Sequence, residues 1–255
     1  MRSRMLRRRR GAPLRGVLVS LMSVGLVTGC EPSPTATLFV GAASSMQATL
    51  QTRARAFEDQ HPDVRVEVIG DSSSRLARQL VDGAPYDIFV SARVDLSDEL
   101  HQAGITSKPV VIAAAGLALA YEYDPRRPSA RPLSSIISGA TNIGIADPSV
   151  PLGHYTQRWL SASSDRSQVL QRVQSFEANA LAVERRLTAG EVSVAVVYTQ
   201  QCATLPRHLR CMPIDTTPIL YTSALSRASS HPTLARAFLR EIQENVPNSA
   251  RGIAR

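Results

Sequence analysis

From residue 38 onward, short apolar runs alternate with longer stretches in which apolar side chains recur every third or fourth position. The first run, Leu38 to Ala43, reads as a buried strand, and Met46, Leu50, Ala54 and Phe57 mark one face of a helix that starts at Ser45. Val64 to Ile69 alternates as a second strand, Ser74 to Val81 has helical spacing and stops at Asp82-Gly83, and Tyr86 to Val90 is a third strand. This β-α-β-α-β order predicts a parallel sheet with helices on both faces, an α/β fold. Pro109 to Ala120 reads as two adjoining strands where the chain leaves a first lobe. A Pro/Arg-rich loop at 123–132 follows, then a short helix at Leu133 to Ile137 and a strand at Asn142 to Ala146. Tyr155 to Leu160 begins another helix, 168–189 is helix-like throughout, and Val192 to Tyr198 is strongly strand-like. Pro218 to Leu225 is a return strand, and Leu234, Phe238 and Ile242 put a helix over Thr233 to Glu244. No internal repeat is visible.

Two serine clusters stand at strand-to-helix junctions: Ser44-Ser45 and Ser72-Ser73-Ser74. A serine there is an ordinary N-cap. Two such clusters facing each other also bring hydroxyls together with backbone N–H groups that have no acceptor inside their helix, an arrangement that favours an anion.

Charge changes meaning once the start of the chain is set aside. Residues 1–29 hold seven arginines and no acid, then the apolar stretch Gly16 to Val27, then Leu26-Val27-Thr28-Gly29-Cys30. This pattern predicts an export signal over 1–29 that ends in a lipobox, with lipid on Cys30 and a Pro/Ser/Thr-rich tether over 30–37. An ordinary signal or a single membrane anchor is the alternative. Of 29 basic and 21 acidic residues in the chain, 22 and 21 remain after residue 29, so the mature protein is nearly neutral. A nucleic-acid partner is not expected of it. The two other cysteines, Cys202 and Cys211, form a close pair that in an exported protein predicts a disulfide closing a surface loop. No metal is expected there, because His208 is one possible ligand where a closed site needs four.

Five segments carry a resemblance. LFVGAASS at 38–45, GDSSSRLARQL at 70–80, GAPYDIFVSA at 83–92, DPSVPLGHY at 147–155 and VAVVY at 194–198 follow in the order and approximate spacing of the periplasmic molybdate-binding proteins of ABC transporters. The resemblance implies a type II periplasmic binding-protein fold: two α/β lobes, each a mostly parallel sheet flanked by helices, joined by two crossover strands. Lobe one would comprise 38–112 and 219–255, lobe two 113–218. It implies hydroxyl contacts to a tetrahedral oxyanion from Ser44 and Ser73, backbone N–H contacts near Leu152 and Ala180, and a phenol contact from Tyr198. This chain departs from the pattern in three ways: the segment after Asp147-Pro148 is one residue short, Leu152 stands where alanine is common, and Ala180 replaces a more usual valine, with Asn179 before it. The implied role is that of an exported, monomeric lipoprotein of the cell envelope, with no cofactor, that captures molybdate or tungstate for a membrane permease.

Such anions carry no proton near neutral pH and only accept hydrogen bonds, so their pocket needs donors alone. None of the five positions is acidic or basic; Asp71, just before the serine run, has to point away. Other readings keep the fold with sulfate or a small organic acid as ligand, or make the chain an envelope hydrolase that uses a serine with His154. Against the hydrolase, no GxSxG elbow surrounds Ser44 or Ser73. No catalytic residue and no metal-ligating set is assigned.

Overall fold

The computed structural model describes residues 35–124 and 132–244. The signal, Cys30, most of the tether and most of the Pro/Arg-rich loop lie outside them. β1 (Ala36–Ala43) pairs in parallel with β2 (Val64–Asp71) on one side and β3 (Ile88–Ser91) on the other, so the first β-α-β-α-β unit is the parallel one its order dictates. Ala36 and Thr37, read above as the end of the tether, already belong to β1. α1 (Gln47–Gln60) connects β1 to β2, and α2 (Ser73–Val81) connects β2 to β3. α3 (Val94–Gln102), which the sequence reading passed over, follows β3.

All eight strands join one sheet in the order β2-β1-β3-β8-β4-β7-β5-β6. At its centre β4 (Val110–Glu122) and β8 (Leu209–Leu225) run antiparallel to each other and pass from one half to the other. β4 was expected as two strands and is one, whose register against β8 shifts twice, between Val111 and Ala113 and between Ala115 and Leu117. Val110–Ala115 pair with Ile219–Ser223, Leu117–Glu122 pair with Leu209–Ile214, and the register shifts between them. Asp215 to Pro218 take no part in that ladder, so the irregularity falls where the two halves meet. Beyond β4 stand β7 (Val194–Tyr198), β5 (Ile143–Ala146) and β6 (Val173–Glu177), with β5 parallel to both of its neighbours. Every residue of β7 is buried, as expected of a strand covered on both faces.

The continuous helix expected over 168–189 is instead α6 (Arg166–Arg172), β6 and α7 (Ala180–Thr188). Val169, Leu170 and Val173 satisfy helical spacing equally well. Pairing with β5 turns Val173–Glu177 into an edge strand whose Phe176 remains half exposed. α4 (Leu133–Gly139), α5 (Pro151–Ala162) and α8 (Pro232–Glu244) complete the layers. One apolar cluster runs through both halves, from Leu38, Leu50 and Phe57 to Val183, Val196 and Leu160; α8 closes it by placing Phe238 edge-on to Phe57 at 5.2 Å. A smaller cluster of Leu76, Leu80, Tyr86, Phe89 and Leu100 lies under α2 and α3.

Cys202 and Cys211 are joined, their Cα atoms 6.1 Å apart, tying the 3-10 turn Thr199–Ala203 after β7 to the start of β8. Replacing both by alanine is expected to lower unfolding free energy by about 2–3 kcal/mol, the loop-closure value for so short a loop; the urea midpoint of the oxidised parent and the variant measures it.

Candidate anion-binding site

Three helices and a 3-10 turn begin at one place. The turn Ser44–Met46 follows β1, α2 follows β2, α5 follows β5, and α7 follows β6. Each starts at the C-terminal end of a parallel strand, where βα connections of an α/β sheet gather ligands. Ser44, Ser73, Leu152, Ala180 and Tyr198, the five positions drawn from the resemblance, all line one small cavity there, as do Ser45, Asp71 and Ser72. Its volume is about 10 Å³, the size of one water-sized sphere.

The backbone donors are left over by the capping scheme. In α2 the Ser72 hydroxyl caps the Arg75 N–H at 3.3 Å, and in α7 the Asn179 carbonyl oxygen caps the Ala182 N–H at 2.9 Å. Those caps serve the third N–H of each helix; the groups at Ser73, Ser74 and Ala180 precede it and have no intrahelical acceptor. α5 has no side-chain cap, because Val150 at the cap position has no side-chain acceptor, and Pro151 opens the helix with no N–H to satisfy. Its first available donors are at Leu152 and Gly153. α5 begins four residues before the expected Tyr155, which puts Leu152 in the first helical turn, its side chain buried in the core and its backbone toward the site. Gly153 is what lets this turn seat, since a Cβ there would lie 1.9 Å from the carbonyl oxygen of Asp147.

The hydroxyls are oriented by what they accept. Ser73 Oγ takes a hydrogen bond from Ala92 N–H at 3.1 Å, and Ser44 Oγ takes one from Leu181 N–H at 3.4 Å. Each hydroxyl proton is thereby left to donate elsewhere. Tyr198 is fully buried, and its hydroxyl has no hydrogen-bond partner. Burial, with Tyr221 and Tyr155 close by, holds its phenol well above the ordinary value, so it keeps its proton and remains a donor. Tyr221 lies edge-on to it at 5.7 Å and shares a 2.8 Å hydrogen bond with Ser45.

Asp71 is the one charged residue on the wall, and its carboxylate is already engaged. Oδ1 accepts from the Ser72 N–H at 2.7 Å and from Asn179 Nδ2 at 3.3 Å, while Oδ2 takes the Arg75 guanidinium at 3.3 Å. The other acids have structural roles. Asp87 is buried and accepts from the Phe39 N–H and the Ser229 hydroxyl. Asp147 forms a turn with the N–H and hydroxyl of Ser149, which holds its carboxyl below the usual range. His154 is not on the wall; its ring packs edge-on to Tyr155, and burial together with nearby Arg93 lowers its pKa. None of the hydrogen bonds above gives a cavity serine a base. A larger cavity of about 710 Å³ lies between α5 and Asp215–Leu220, lined by both Arg158 and Asp215. Of the helix N-termini only that of α3, at Val94, borders it, against the several that meet at the small cavity. Among the described residues no cluster of His, Cys, Asp and Glu could hold a metal ion.

Residues 38–245 match the family model described as bacterial extracellular solute-binding protein. The chain belongs to that family. These are extracytoplasmic binding components of transport systems, not enzymes, and among the described residues no helix is long and apolar enough to cross a membrane. This solute-binding protein is 25% identical to the molybdate-binding protein ModA of Mycobacterium tuberculosis over 88% of its own length and 89% of the relative's. Its fold matches the periplasmic molybdate-binding protein of Azotobacter vinelandii with a TM-score of 0.69 at 20% identity, covering 80% of this chain and 92% of that one. It matches the sulfate-binding protein SubI of Mycobacterium tuberculosis at 0.65 and 15% identity, over 82% of each chain. The architecture is thus the type II binding-protein fold that the resemblance implied.

Sequence reasoning missed the supporting shell. Ser45 and Tyr221 are 176 positions apart and meet only in three dimensions. Asn179 did carry a local signal, an Asn directly ahead of a helix-like run, which is a cap signature. Two outcomes follow from the geometry. Tyr198→Phe removes a buried hydroxyl that has no partner, so the ligand-free fold is expected to keep its stability or gain up to about 1 kcal/mol, measured by urea unfolding. Gly153→Ala is expected to cost about 1–3 kcal/mol in the same measurement, because a methyl cannot share space with the Asp147 carbonyl.

Proposed function

We propose that this protein captures molybdate or tungstate in the gap between two lobes and presents it to the membrane permease of an ABC transporter. The lobes comprise 38–112 with 219–255, and 113–218, and Ser44, Ser73, Leu152, Ala180 and Tyr198 supply the donors. Lipid on Cys30 tethers the exported chain, as a monomer, to a membrane of the cell envelope. The observation that carries this reading is the buried, unpartnered Tyr198 hydroxyl set among first-turn N–H groups and serine protons. A buried polar group without a partner costs roughly 1–3 kcal/mol, a cost recovered when a ligand accepts its hydrogen bond.

Donors alone match an anion that has no proton to give. Each bond to such a charged acceptor contributes about 1.5–3 kcal/mol, and each helix N-terminus on the order of 0.3–1 kcal/mol more. The cavity is smaller than a tetrahedral oxyanion, so its walls have to part for entry; β4 and β8, irregular where the halves meet, are the elements that can bend. Likeness to molybdate-binding relatives supports the ligand class. Sulfate remains the second reading, because the same fold serves a sulfate-binding neighbour. Size separates the two: with donors held by the backbone, a smaller anion reaches fewer of them at once.

Thermal unfolding of the chain lacking residues 1–30, with molybdate, tungstate, sulfate and phosphate in turn, tests this. Molybdate and tungstate are expected to stabilise by about 2.7 kcal/mol at a hundredfold excess over Kd, sulfate and phosphate far less. A shift with sulfate alone would replace the proposed ligand. Ser73→Ala and Tyr198→Phe are each expected to weaken molybdate binding by about 10- to 150-fold, measured by titration calorimetry. Because Tyr198 stays protonated, affinity is expected to hold through about pH 10, where an ordinary tyrosine ionises. Fold stability is expected to decline above that pH, as unfolded chains lose phenol protons that buried Tyr198 and Tyr221 retain.

A further inference from the structure

β2 and β6 are the two outer strands of the sheet, at opposite ends of its order. Their C-terminal ends nevertheless meet. Asn179, two residues after β6, donates from Nδ2 to Oδ1 of Asp71, the last residue of β2, at 3.3 Å. The Asn179 carboxamide is committed at both ends, since its oxygen accepts from the Ala182 N–H and caps α7. Its orientation is therefore determined: an acceptor must face the N–H and a donor must face the carboxylate. Asp71 is bound on its own side by the Ser72 N–H and Arg75. The other titratable group close to it is Tyr86, whose phenol is raised by burial and by the Asp71 charge. Two further hydrogen bonds cross the same seam, Ser74 Oγ to the Ser149 carbonyl at 2.9 Å and Leu181 N–H to Ser44 Oγ at 3.4 Å.

We propose that Asn179 is a positioning residue for ligand binding, acting as a cross-lobe latch through Asp71. One carboxamide caps α7 and at the same time occupies an acceptor site of Asp71, the one carboxylate among the residues lining the cavity. Without the latch, Asp71 keeps the Ser72 N–H and Arg75 but loses its contact from across the gap, and its carboxylate can turn toward the ligand. There it would repel a dianion and instead offer an acceptor to an oxyanion that retains a proton. The latch thus couples closing of the gap to the donor-only character of the wall. This inference rests on reading the cavity as an oxyanion site, and it adds a residue that touches no ligand.

Asn179→Asp tests it, because aspartate keeps the cap but sets a second carboxylate against Asp71. Molybdate affinity of this variant is expected to fall about 10-fold near pH 8. It is expected to recover toward about pH 5, where the two carboxylates share a proton; the unsubstituted protein should show no such rise. The double variant Asp71→Asn/Asn179→Asp exchanges donor and acceptor, and is expected to return to within about threefold of the parent near pH 8. In parallel, the distance between spin labels placed on the two lobes is measured without ligand: the distribution is expected to broaden and lengthen in the single variant and to narrow again in the double one. A single variant that binds like the parent at both pH values, or a double variant no better than the single, overturns the latch. If the parent binds no molybdate, the reading of the ligand fails, and the label distances still decide the latch.

Discussion

Backbone N–H groups that a helix cannot pair for itself are what the rest of this molecule is arranged around. Every helix has them in its first turn, and ordinarily water or a side chain takes them up. Here α2 is side-chain capped at its third N–H, α7 at its second by Ser44 and its third by Asn179, α5 has no side-chain cap, and the helices converge with the Ser44 turn on one spot. Water has almost no room there, and the phenol of Tyr198 adds one more proton without an acceptor. Such concentrated donor capacity, with room for about one water, costs stability unless an acceptor is present.

Gathering those helix ends from two directions is the work of the sheet. A parallel β-α unit delivers each helix start to the same end of the strands, so β1, β2, β5 and β6 all aim their following turns at the gap. β4 and β8 carry the chain between halves, and their shared ladder is irregular at Ala115–Leu117 and Asp215–Pro218.

Much of this was legible from local patterns. The alternation at 64–69, the serines ahead of helical spacing at 74–81 and the wholly apolar 194–198 each specify one element with one burial state, and those elements formed as read. Misreadings came where local pattern serves two structures. Val169, Leu170 and Val173 fit a helix, but pairing with β5 makes a strand of 173–177. Pro109 to Ala120 read as two strands and is one; β8 pairs with it throughout, and the register of that pairing, which shifts along the way, is not written in the segment itself. α3 went unseen although Leu96 and Leu100 stand four apart in it, because a buried position of its inner face is the polar Ser97.

The first β-α-β-α-β run, the serine clusters, the neutral balance after residue 29 and the nearness of Cys202 to Cys211 are properties of neighbours along the chain, and the sequence by itself determined them. Contacts between distant positions were decided only by tertiary structure: Ser45 with Tyr221, Ser44 with Leu181, Asp71 with Asn179, and the isolation of the Tyr198 hydroxyl. The physical reason is that a donor's value depends on whether an acceptor lies within about 3.5 Å, and for residues more than a hundred positions apart only the folded sheet sets that distance.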